Sequence, residues 1–141
     1  MKTLIFLDDE RNPEDVYWID YPKYKEIIIL RHHEEFINFC DNIFGGAISN
    51  FNTLDFSFDH DIQSYDKYGN EWTGYTCLKY LLETTYLIDL ESGIPDLGNL
   101  NSSFFFFHTN NPIGKENMKS YYNNFKKYCS VTPHAYRKKQ R

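Results

Sequence analysis

Apolar residues fall into short runs separated by stretches of helical periodicity. Thr3 to Leu7 (TLIFL) is a continuous apolar run that stops at acids, and Glu26 to Leu30 (EIIIL) is a second, β-branched run. Leu54 to Phe58 (LDFSF) alternates more but is aromatic and ends at Asp59; Ser103 to Phe107 (SFFFF) ends at His108. Four near-continuously apolar runs predict strands of a sheet buried on both faces. Between them the apolar spacing becomes i, i+3, i+4, i+7. Glu34 to Phe44 places Phe36, Ile37, Phe39, Cys40, Ile43 and Phe44 this way, and Tyr75 to Leu87 places Cys77, Leu78, Leu81 and Leu82. Lys115 to Cys129 carries Met118, Tyr121, Tyr122, Phe125 and Cys129. Strands alternating with helices predict an α/β fold, a three-layer sandwich of the small doubly wound kind with about four mostly parallel strands.

The connection from Asn12 to Pro22 gives no clear pattern, and Pro22 ends whatever turn forms there. Ile62 to Thr73 is a polar loop with the place of a lid, and Asp89 to Asn101 reads as a plain connector. Residues 1–129 are expected to form one domain and residues 130–141 a basic tail, in which Arg137, Lys138, Lys139 and Arg141 are solvated or touch a polyanion weakly. No run approaches the ~20 apolar residues of a bilayer crossing, and the short run before Asp8 does not read as a secretory leader. Aromatic residues make up 18% of the chain, ample for a core.

Composition narrows the chemistry. The net charge is −5, which disfavours duplex DNA as a partner because phosphate neutralisation dominates that affinity. Cys40, Cys77 and Cys129 are widely spaced and apolar-flanked; they read as buried free thiols of a reducing cytoplasm, not as a zinc site.

Polar residues gather where three strands end: Asp8-Asp9-Glu10-Arg11, Asp59-His60-Asp61, and His108-Thr109-Asn110-Asn111. Ligands of open α/β sheets bind outside the carboxyl ends of the strands, so these stretches converge on one crevice. Asp8 and Asp9 point to opposite sides of an extended segment. With Asp59 beside them, their repulsion is relieved by Arg11, by raised pKa values, or by a divalent cation, for which oxygen donors favour Mg²⁺ or Mn²⁺. The same acids also suit helix caps and turns. His60 and His108 fit an acid/base pair on a phosphodiester, with Asp59 and Asp61 orienting an imidazole; a histidine at a strand end also serves as a structural hydrogen-bonder. His32 and His33 read as a solvated helix start. Pro112 and Gly114 turn the chain into the last helix, whose first N–H groups, with Lys115, suit a phosphate oxygen.

Leu7-Asp8-Asp9-Glu10-Arg11-Asn12-Pro13, Phe58-Asp59-His60-Asp61, Gly74-Tyr75 and the run from His108 to Asn117 together resemble the cyclic-phosphate processing receiver domains of phages and bacteria. The resemblance spans roughly residues 3–127 and implies a receiver/flavodoxin-like fold in a bacterial or phage-infected cytoplasm. It implies a phosphoesterase or processing role on a cyclic nucleotide or an RNA cyclic-phosphate end, with Asp8 and Asp9 as the acidic pair and Asp59, His60 and Asp61 as the D-H-D signature. His108, Asn111 and Asn117 match the H-x-x-N-P-x-G-x-x-N run. On this reading Arg11, Thr109, Asn111, Gly114, Lys115 and Asn117 bind substrate, Asp8, Asp9 and Asp59 hold metal, and no organic cofactor is needed. Two alternatives stay open. One is a noncatalytic module that sequesters a cyclic nucleotide. The other is a Mg²⁺-dependent phospho-receiver with Asp59 as acceptor, which lacks the lysine expected after a fifth strand.

Overall fold

The computed structural model describes residues 2–44, 54–92 and 103–140. Its main sheet has four parallel strands, β1 (Thr3–Leu7), β2 (Glu26–Leu30), β3 (Leu54–Phe58) and β6 (Phe105–Phe107), in the order β2-β1-β3-β6. The chain steps from β1 outward to β2 and then crosses to the other side with β3. This is the strand order of receiver and flavodoxin-like sheets, with the topological switch between β1 and β3. The register runs unbroken: Thr3 lies opposite both Glu26 and Leu54, and Phe56 lies opposite Phe105. The strands form where expected, except that the last begins two residues later than the apolar run suggests.

Among the described residues three helices accompany them: α1 (His33–Phe44) and α2 (Gly74–Ser92) between strands, and α3 (Pro112–Gln140) after β6. The last continues through the stretch expected as a tail. The Asp89–Asn101 connector begins inside α2 and otherwise lies outside the described residues. No helix among the described residues is long and apolar enough to cross a membrane.

Alternation along each strand sorts the core into two layers. Ile5, Leu7, Phe56, Phe58 and Phe107 face all three helices, meeting Phe36 and Cys40 of α1, Leu78 and Leu81 of α2, and Met118 of α3. Leu4, Phe6, Ile29 and Phe106 face the opposite way, where no helix among the described residues packs against them. The cover there is the β1–β2 connection itself. It makes one short 3-10 turn, Pro13–Asp15, and then lays Val16, Trp18, Ile19, Tyr21 and Tyr24 across the strands. The third layer is therefore irregular chain. Pro22 and the scattered aromatics give it no helical period, which is why the sequence pattern was silent.

The loop after β3 is not a free flap. It forms a small antiparallel hairpin, β4 (Ser64–Tyr65) with β5 (Glu71–Trp72), turned at Gly69, whose φ of +83° suits glycine. The hairpin is fastened to the start of α1. The His33 ring stacks on Trp72 at 5.0 Å, and Ser64 Oγ meets both the backbone N–H and Nδ1 of His33. His33 is thus buried, against the expectation of a solvated turn, while His32 is exposed as expected.

Candidate functional site

A cleft of about 150 Å³ opens at the carboxyl edge of the sheet, over the switch point. It is lined from β1 by Asp8, Asp9, Glu10 and Arg11, from β3 by Asp59, Asp61 and Gln63, and from β6 by Thr109, Asn110 and Asn111. The three strand ends converge as the sequence implied. The cleft is about half the lower bound of the ~300–1,000 Å³ typical of sites that engulf a drug-sized ligand. It suits a hydrated ion or a phosphoryl group, and anything larger must extend over its rim.

Asp8 is the most heavily tied group. Its Oδ1 accepts the backbone N–H groups of Glu10 and Arg11, both at 2.9 Å. Its Oδ2 accepts from His108 Nε2 at 3.0 Å and from Arg11 Nη1 at 3.3 Å. Burial alone raises the carboxyl pKa, but the His108 and backbone donors outweigh it and hold Asp8 down to about 2. Asp9 is shifted upward by burial and by the charge of Asp8. Asp59 is also shifted upward by burial; the Asp8 charge adds to this, and the Thr109 hydroxyl and Arg11 oppose it. The Arg11 guanidinium stands between Asp8 and Asp59, 3.7 Å from Asp59 Oδ2. Arg31, not singled out by the sequence, clamps this loop by donating to the carbonyls of Asp8 and Arg11 and to Asn12 Oδ1.

These values set a pH window for Asp8. Its folded pKa lies below the unfolded ~3.9, so its contribution to stability is fully present above pH ~4 and is lost as pH falls through about 2. The shift is worth about 2 kcal/mol at ~1.36 kcal/mol per pKa unit. Denaturant unfolding of wild type and Asp8→Asn between pH 5 and 2 is expected to show their stability difference narrowing by about that amount as pH falls.

Asp8, Asp9 and Asp59 bring one carboxylate oxygen each to within 4.8 Å of one another. An all-oxygen donor set in which burial and the charge of Asp8 raise two of the three pKa values fits a hard divalent cation, which would offset both effects.

The two histidines are placed differently from the expected pair. His108 has 0% exposure and does not line the cleft. Its ring stacks on Phe6 at 4.3 Å, Nε2 meets Asp8, and Nδ1 lies 2.7 Å from Ser57 Oγ, which in turn lies 2.7 Å from the Tyr21 hydroxyl. Both ring nitrogens are engaged, so His108 cannot reach a solute in this arrangement. His60 is partly exposed and stands beside the cleft, not in its lining; its Nδ1 meets Asp61 Oδ1 at 2.8 Å. That bond, more than the opposing effect of burial, lowers the Asp61 pKa. Asn111 ties this pair to the last helix. Its Nδ2 donates to Asp61 Oδ2 at 3.1 Å, while its Oδ1 accepts the Gly114 N–H at 2.9 Å.

Three expected phosphate binders stand outside the cleft. The Gly114 N–H is taken up by Asn111; Lys115 and Asn117 do not line the cleft, and Asn117 faces solvent. Gly114 has a different reason to be glycine: a Cβ there would sit 2.4 Å from the His60 ring. Gly74 is tighter still. Its N–H donates to the His60 carbonyl at 2.7 Å, and a Cβ would fall 1.7 Å from the Asp59 carbonyl oxygen. Backbone cannot yield as a side-chain tip can, so Gly74→Ala is expected to push α2 off the Asp59–His60 segment. It should cost on the order of 3 kcal/mol in chemical denaturation. Sequence reasoning missed Gln63 and the Ser57–Tyr21 support of His108. Ser57 hides as the polar member of an aromatic strand, and nothing local marks it as a partner of a histidine 51 positions on.

Compared with known proteins, residues 3–124 match the family profile described as a cyclic-phosphate processing receiver domain. No curated protein and no solved structure matches the chain.

Proposed function

Because the chain belongs to the cyclic-phosphate processing receiver family, we propose that it is a cation-assisted phosphoesterase acting on the cyclic phosphate of a nucleotide or an RNA end. The observation that carries this reading is the cleft itself: three clustered carboxylates, one arginine, a hydroxyl and three amides around a space of phosphoryl size. Phosphate recognition at a net-negative site needs positive charge, and in the cleft lining Arg11 alone faces five acids. A divalent cation held by Asp8, Asp9 and Asp59 would supply it, neutralising a phosphate oxygen and polarising phosphorus.

The protein's own groups divide the remaining work. Arg11, Thr109, Asn110 and Asn111 contact phosphate oxygens. His60, oriented through Nδ1 by Asp61, exchanges protons through its other nitrogen. Water adds to phosphorus, one ester P–O bond breaks, and the ring oxygen leaves with a proton as a hydroxyl, giving a monoester. His108 acts through Asp8. With its Nε2–H donated there, the neutral ring accepts at Nδ1 from Ser57, and Ser57 accepts from Tyr21; this fixes the carboxylate's orientation for the cation.

Incubation with nucleoside 2′,3′- and 3′,5′-cyclic monophosphates and Mg²⁺, followed by ³¹P NMR, is expected to show conversion to monoester. His60→Gln should slow it by about 10²–10⁴. Unchanged turnover in His60→Gln would remove that residue from the chemistry. Calorimetric binding without turnover would replace hydrolysis by sequestration. Acyl-phosphate labelling of Asp59, which holds a Thr109 hydroxyl at the end of β3 as a phospho-acceptor would, would favour signalling.

A further inference from the structure

We propose that Tyr17, braced by Trp18, is a stacking platform for a nucleobase, so that the phosphate handled in the cleft is one attached to a base. The proposal rests on the phosphate reading of the cleft. The cleft is too small for a nucleoside, so the rest of a nucleotide must lie over its rim. On the β1 side that rim turns aromatic. Arg11 lines the cleft and sets its guanidinium carbon 5.6 Å from the centre of the Trp18 ring. Trp18 is fixed from below, its Nε1–H donating to the His108 carbonyl at 3.0 Å. The Tyr17 ring meets Trp18 edge to face, centroids 5.1 Å apart and planes at 88°. Two short steps thus connect the phosphate-facing guanidinium to Tyr17, a reach that one nucleotide spans.

The state of Tyr17 supports the role. It is 90% exposed, the most exposed of the large hydrophobic residues described. Its neighbour Val16 and the covering segment are packed against the sheet, so the backbone that carries it is anchored. An edge-to-face contact leaves at least one face of the tyrosine ring open, and a rigid, open aromatic face is what a base stacks on. Stacking is tolerant of base identity and is worth roughly 1–3 kcal/mol per base, which is about 5- to 100-fold in affinity.

The test compares ligands with and without a base by calorimetry in Mg²⁺. The probes are adenosine and cytidine 2′,3′-cyclic monophosphate, base-free ribose 2′,3′-cyclic phosphate, and a trinucleotide ending in a 2′,3′-cyclic phosphate. Wild type is expected to favour the nucleosides over the base-free probe by about 5- to 100-fold. Tyr17→Ala should bring that ratio close to one, while Tyr17→Phe keeps it. An unchanged ratio in Tyr17→Ala, or no preference in wild type, overturns the platform and leaves the phosphate site standing. Failure of every probe to bind removes both. Tighter binding of the trinucleotide than of the mononucleotides, lost equally in Tyr17→Ala, assigns the ligand to RNA ends; the reverse order assigns it to free nucleotides.

Discussion

Replacing His108 with alanine is expected to destabilise the fold by about 3–5 kcal/mol, the cost of truncating a wholly buried ring and leaving a buried carboxylate short of a hydrogen bond. The ring is wholly buried, stacked on Phe6, and it supplies a donor to a carboxylate that is itself 1% exposed. Its loss leaves Asp8 short of a donor and Ser57 short of a partner, and opens a cavity between β1 and β6. Ser57→Ala leaves the His108–Asp8 bond in place but removes those to His108 Nδ1 and the Tyr21 hydroxyl, and should cost about 1–3 kcal/mol. Urea unfolding of the two variants checks both figures. A His108→Ala protein as stable as wild type would show that the buried ring is not what holds Asp8. Loss of activity in that variant therefore has to be read together with its stability before a chemical role is inferred.

Asp59→Asn should move stability and cation binding in opposite directions. Burial and the Asp8 charge raise the Asp59 pKa in the folded protein above its unfolded value. The ionised form is then disfavoured in the native state at neutral pH, and a neutral amide removes that penalty; without cation the variant should melt higher than wild type. With Mg²⁺ the order should reverse. A wild-type protein at ~100 Kd of ligand gains about 2.7 kcal/mol, whereas losing one of three carboxylates should weaken binding by about 10- to 100-fold or more and erase about half or more of that gain at the same concentration. Thermal melts with and without Mg²⁺ read both effects. Equal Mg²⁺-dependent shifts in the two proteins would show that the three acids do not form a cation site.

Much of the fold was legible because its central strands β1 and β3 are buried on both faces and its helices carry an apolar stripe. The apolar runs TLIFL, EIIIL and LDFSF became β1, β2 and β3 at the predicted residues. The stretch from Asn12 to Tyr24 was not legible. Its hydrophobic residues pack irregularly against Phe6 and Phe106, a pattern without a period. The convergence of Asp8, Asp59 and Asn111 on one crevice followed from strand ends alone. What strand ends do not tell is depth. His60 stands two residues past β3 and His108 one residue past β6; one is partly exposed and the other is sealed between Phe6, Ser57 and Asp8. Single glycines were equally opaque: Gly74 and Gly114 mark places where helices approach the D-H-D segment too closely for a side chain, not contacts with a ligand.

Asn111 joins two equilibria that are usually separate. One end of its amide ties down the first turn of α3 and the other grips Asp61 at the cleft. Whatever occupies the cleft and draws Asp61 inward also tightens the start of a long helix, and fraying of that helix loosens the acid in turn. Slower amide hydrogen exchange at Gly114 and Lys115 on ligand addition would make that terminus a built-in gauge of occupancy.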